Sequence, residues 1–127
     1  MNPDEVAGGS SGAARLPRFF RIRQDFSSPT LADVRTAVRE QLRDFNVAVR
    51  VHAGQRVAIT AGSRGIRHIA VILRTLGEEL ERCGARPFVV PAMGSHGGAT
   101  AEGQLALLAG LGVSEAAVGM PKRSFTL

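Results

Sequence analysis

The strongest constraint on the fold of this chain is an order of segments that occurs twice. A short apolar run, RVAIT at 56–60, is followed by the glycine-rich AGSRG and then by apolar residues at helical spacing. A second run, RPFVVPA at 86–92, is followed by MGSHGGA and another helical segment. Runs of this kind fit buried strands of a parallel sheet, and the helix between them supplies the crossover that parallel pairing needs. That crossover is expected to be right-handed. The fold class expected is α/β: parallel βαβ units forming part of a Rossmann-like three-layer domain.

The helices are read from periodicity. Ser28-Pro29-Thr30 starts the first, and Leu31, Val34, Val38, Leu42 and Phe45 form its apolar stripe. The second opens at Ile66, carries Ile69, Leu73, Leu76 and Leu80 on one face, and stops at Cys83-Gly84, where glycine can take a left-handed cap. Thr100 caps a third helix over 101–109, and Ser114 caps one more turn over 115–118. Pro87 and Pro91 bracket the second strand and are expected to limit its pairing to the centre. Phe19-Phe20-Arg21-Ile22 is a candidate edge strand.

A length of 127 residues allows one small domain. Residues 1–14, rich in Gly, Ser and Ala, read as a disordered tail, and 15–127 as a partial domain. Two strands and three helices do not cover both faces of a sheet, so the chain reads as the first part of a larger domain. It has neither a membrane-length apolar run nor a secretory pattern, so the expected location is cytoplasmic. A net charge of +5 raises the question of nucleic acid, but the arginines are scattered and there is no Trp or Tyr to stack on bases. No nucleic acid and no membrane are therefore expected as partners. Arg35, Arg39 and Arg43 share one helix face, which reads as solvated.

Chemistry is expected in the two loops, because ligands in open parallel sheets bind beyond the carboxyl ends of the strands. Arg64 offers a fork of donors for a carboxylate or phosphate, beside a helix start that favours anions. Against that stands a plain glycine turn with a solvent-facing arginine; neither a Walker loop nor GxGxxG is present. His96, flanked by Gly94, Gly97 and Gly98, is poorly explained by core packing and suits proton transfer near neutrality. His52 and His68 read as surface residues, and no metal site is expected from three dispersed histidines and the single Cys83. Ser63 and Ser95 lack the setting of a hydrolase nucleophile. Lys122, the only lysine, stands in the final segment, where no catalytic role is expected.

The segments VAITAGSRGI, 57–66, and RPFVVPAMGSHGGATAEGQ, 86–104, resemble the nickel-pincer lactate racemase family, specifically the N-terminal part of its N-terminal domain. LALLAGLGV continues the similarity, which spans roughly Phe19 to Pro121. The resemblance implies an isomerase acting on a small 2-hydroxy acid. Hydride leaves the α-carbon for a nickel pyridinium-bis-thiocarboxylate mononucleotide and returns to the other face of the 2-keto acid. It gives His96 the role of one of two acid/base histidines, and gives Arg64 the substrate carboxylate or the cofactor. Ser63, Arg64 and Gly65 would then contact the cofactor.

Departures accompany the match. Ser63-Arg64-Gly65 stand where better-studied racemases have an acidic residue, Thr, Arg and Pro, and Gly97-Gly98 follow the histidine where those carry Arg-Pro. The substrate of such a divergent branch need not be lactate. The lysine that carries the cofactor, the nickel-ligating histidine and the second acid/base histidine would lie beyond Leu127, so the chain alone is expected to be inactive. Rival readings are a non-catalytic anion- or phosphate-binding α/β module and an inactive gene fragment.

Overall fold

The computed structural model describes residues 21–27 and 30–124. The 1–14 tail, Phe19 and Phe20 of the candidate edge strand, and the Ser28-Pro29 helix start lie outside them. Arg21 and Ile22 belong to no strand. The described chain is mixed α/β, running α1 (Val34–Asp44), α2 (Val47–Arg50), β1 (Arg56–Ala61), α3 (Ile69–Arg82), β2 (Arg86–Pro91), α4 (Ala101–Gly110) and α5 (Glu115–Val118). β1 and β2 pair in parallel, in register from Arg56 opposite Arg86 to Ala61 opposite Pro91.

The pairing runs the full length of β2, contrary to the limit expected from its prolines, and the reason is the direction of the N–H groups. Alternate residues of a strand point their N–H groups to opposite neighbours. Arg86 donates to the Gln55 carbonyl and Ala92 to that of Ala61, so even-numbered residues face β1. Val89 donates the other way, to the Pro121 carbonyl, and Arg123 donates back to Val89. Pro87 and Pro91 share the parity of Val89. Their missing donors therefore cost nothing toward β1 and fall on the outer edge, where an isolated parallel bridge joins Val89 and Lys122.

α3, α4 and α5 lie against one face of this small sheet, and α1 packs on α3. Ala61 and Val89 join Ile69 and Leu73 of α3, Leu108 of α4, Val118 of α5, and Val113 and Met120 in a single buried cluster. On the opposite face Arg56, Ala58, Thr60 and Arg86 are exposed, and Phe88 and Val90 half-buried. β1 is thus an alternating, one-sided strand among the described residues, not the doubly buried kind that its apolar run implied.

α3 begins at Ile69 rather than Ile66, and exposure shows why. Ile69 is 7% exposed and reaches the core, while Ile66 is 53% exposed. His68, expected inside the helix, is instead the residue before it, held at φ +63°. The close of α3 follows expectation, with Gly84 at φ +80°. α1 starts later than Thr30, on Asp33, whose carboxylate accepts from the N–H groups of Arg35 (3.1 Å) and Thr36 (3.2 Å). The hydroxyl of Thr36 also donates to it, and these hydrogen bonds hold the Asp33 carboxyl below the ordinary carboxylate range. Leu31 and Phe45 of the expected stripe fall outside the helix and stay exposed.

Arg43 is exposed as expected, but Arg35 and Arg39 of α1 are not simply solvated. Arg39 donates through Nε to Glu79 (2.9 Å) and through Nη2 to Glu78 (3.3 Å). Glu78 also pairs with Arg74 (3.0 Å) and Arg35 (3.7 Å). Charged pairs therefore join α1 to α3, beside the half-buried Val34, Val38 and Leu42.

Candidate functional site

Direct pairing of β1 and β2 brings the two glycine-rich loops side by side at the carboxyl ends of the strands. Ser63 follows the buried end of β1 by two residues and is itself half-buried. A tight turn comes next, in which the Ile66 N–H donates to the Arg64 carbonyl (2.7 Å). Arg64 and Gly65 are exposed. No ion pair or side-chain hydrogen bond engages the Arg64 guanidinium among the described residues.

The second loop is built more tightly. Residues 96–99 form a short 3-10 turn, with Gly97, Gly98 and Ala99 in succession at φ +64°, +69° and +57°. Thr100 then caps α4 as expected, accepting from the Gly103 N–H (3.1 Å) while its own hydroxyl donates to the Gly97 carbonyl (3.2 Å). Gly97 lies directly against Gly103: a Cβ on Gly97 would come within 2.5 Å of the Gly103 carbonyl carbon. Gln104 donates through Nε2 to the Gly94 carbonyl (2.8 Å), which fastens the other end of the loop to the same helix. His96 is exposed at the crest of this turn.

The two loops meet through one side-chain contact. Ser63 Oγ and His96 Nδ1 are hydrogen-bonded across 33 positions of sequence. A hydroxyl on one imidazole nitrogen leaves the other free for a second partner. The structure thus brings together Ser63 and His96 of the expected set, with Arg64 adjacent in sequence to Ser63. No carboxylate lies within ion-pair distance of His96 among the described residues, and Ser95 makes no side-chain hydrogen bond there.

The anion-favouring helix start expected at Ile66 is displaced to Ile69. Because α3 starts at Ile69, the free N–H groups at its first turn belong to residues beyond Arg64. What remains at the loop is the guanidinium. Gln104, Gly103 and Thr100 are the supports that sequence reasoning assigned to a cap or to nothing. Their signal was a glycine three residues into an otherwise ordinary helix, where it weakens the helix unless something packs closely against it.

The nickel cofactor implied by the resemblance finds only part of what it would need. No cluster of three or more His, Cys, Asp or Glu side chains able to hold a metal exists among the described residues. His96 is committed at Nδ1 to Ser63, and Ser63 is committed in turn. In the two loops, the exposed Arg64 guanidinium, which makes no ion pair among the described residues, is the cation that a phosphate or carboxylate would meet. Comparisons with protein-family models, with curated proteins and with solved structures return no match.

Proposed function

We propose that these loops form the proton-transfer and anion-holding part of a site for a small 2-hydroxy acid, in a chain related to the lactate racemases. On this reading the sheet belongs to a Rossmann-like three-layer architecture, and activity requires groups beyond the two loops. In that reading His96 takes and returns the proton of the substrate hydroxyl. Arg64 holds the carboxylate in a forked pair of hydrogen bonds, which orients the α-carbon. The supporting observation is the Ser63–His96 contact, which sets a base in one loop beside the cation-bearing turn of the other. In the family the chemistry that the pincer cofactor would supply is hydride transfer. The metal-ligand chemistry does not fit the described residues, so no step is assigned through it.

The test is a titration of the labelled chain with D-lactate, followed by amide resonances. Shifts confined to residues 62–66 and 94–98, and lost in Arg64→Ala, are expected. Inorganic phosphate perturbing the Arg64 loop while lactate leaves both loops unmoved would favour a non-catalytic anion-binding module. The exposed Arg64, which makes no ion pair among the described residues, is the observation that favours that second reading.

A further inference from the structure

We propose that Ser63 is a positioning residue that sets the tautomer of His96, accepting the Nδ1 hydrogen and presenting Nε2 as the basic nitrogen. The proposal deepens the acid/base reading of His96, and rests on it for its purpose though not for its measurement.

The argument begins with which atoms are fixed. Ser63 is anchored by the sheet, two residues past buried Ala61, and is half-buried. The His96 turn is anchored from the other side, by the Gly97–Gly103 backbone contact and by Gln104 on the Gly94 carbonyl. The imidazole therefore meets the hydroxyl between two supports that do not depend on each other. Nδ1 is the nitrogen engaged. The ring itself is on the exposed side of the loop, so Nε2 is the nitrogen left for a substrate.

The direction of the hydrogen bond follows from the proton cycle. A serine hydroxyl can donate or accept, and a neutral imidazole has one nitrogen of each kind. If Ser63 donated to Nδ1, the ring hydrogen would sit on Nε2, and Nε2 could not take a proton. Protonation would also break that bond, because both nitrogens of an imidazolium are donors. If Ser63 accepts from Nδ1, the same bond persists in the neutral and the protonated ring, and Nε2 alone gains and loses the proton. A base that cycles needs the second arrangement. In many sites a carboxylate or backbone carbonyl fills the Nδ1 role. No carboxylate does so here among the described residues, and the hydroxyl stands in its place.

Long-range proton–nitrogen correlation spectra of the 15N-labelled chain, recorded well above neutral pH, read the tautomer of each histidine. His52 and His68, both exposed and neither bonded to a serine among the described residues, provide internal references. The wild-type chain should show His96 with hydrogen on Nδ1, against the Nε2–H form favoured by free imidazole. Ser63→Ala should shift the ratio toward Nε2–H by about two- to tenfold, the range of one neutral hydrogen bond. Ser63→Thr, which keeps the hydroxyl, should restore the wild-type ratio. A wild-type ring with hydrogen on Nε2 would overturn the proposal and make Ser63 a donor, as in a serine nucleophile paired with its base. An unchanged ratio in Ser63→Ala would overturn it as well. Neither spectrum depends on substrate, so a failed lactate titration leaves this result standing, and the reverse holds too.

Discussion

Gly97 shows how much a single residue decides about the candidate site. Its backbone is left-handed, and a Cβ there would strike the backbone of Gly103 and Gln104. Gly98 has almost the same φ but faces open space. The two positions separate backbone strain from packing. Gly98→Ala should cost about 1–2 kcal/mol from the left-handed penalty alone. Gly97→Ala adds overpacking against backbone that has no rotamer to change, and should cost on the order of 2–4 kcal/mol. Urea unfolding of the two variants measures the difference. If Gly98→Ala proved the more damaging, the close approach of turn and helix would be wrong.

At the scale of elements, the joint between α1 and α3 carries a pH dependence. Arg74 beside Glu78, with Arg35 and Arg39, holds the Glu78 carboxyl below the ordinary carboxylate range, and the cap hydrogen bonds do the same for Asp33. A carboxyl lowered on folding contributes stability that is present above its unfolded value and is lost as pH falls through its folded value. The α1 joint should therefore hold at neutral pH and loosen on acidification below the ordinary carboxylate range. Amide exchange of α1 reports it, and Glu78→Gln should remove part of the dependence. The effect is small per pair, because these groups are open to water. The cap of α4 is a cleaner element: Thr100→Ala removes the acceptor of the Gly103 N–H and should cost about 1 kcal/mol in urea unfolding. It should also loosen the turn that carries His96.

For the whole molecule, stability rests on a core built by the sheet, α3, α4 and α5, on one side of the sheet among the described residues. Leu108 of α4 and Val89 of β2 are both fully enclosed. Leu108→Ala should cost about 2–5 kcal/mol, a large share of the ~5–15 kcal/mol that a domain of this kind has in hand. Leu108→Met, which conserves volume, should cost less than about 1.5 kcal/mol. Thermal unfolding of both checks the assignment, and equal losses would place Leu108 outside the core. Elsewhere the packing is looser: an apolar hollow of about 320 Å³ lies between α1 and α3, lined by Val34, Val38, Leu42, Ile72 and Leu76 among others. α1 has no buried residue, so side-chain contact holds it less firmly than α3.

The local order of the chain was legible from sequence, because strand, glycine loop and helix are written in short-range patterns. RVAIT and RPFVVPA are the two strands, Gly84 closes α3, and Thr100 and Ser114 cap the helices that follow them. The sequence also put Arg64 and His96 in loops at the same end of the sheet. Tertiary structure alone decided the rest. Pro87 and Pro91 are harmless to the β1 ladder because the fold turns their missing donors outward, a fact of parity and neighbour that composition does not carry. The start of α3 moved to Ile69 because burial, not periodicity, chose which isoleucine faces the core. Ser63 met His96 because a 33-residue separation closes only when the two strands lie next to each other, and no local propensity encodes that distance.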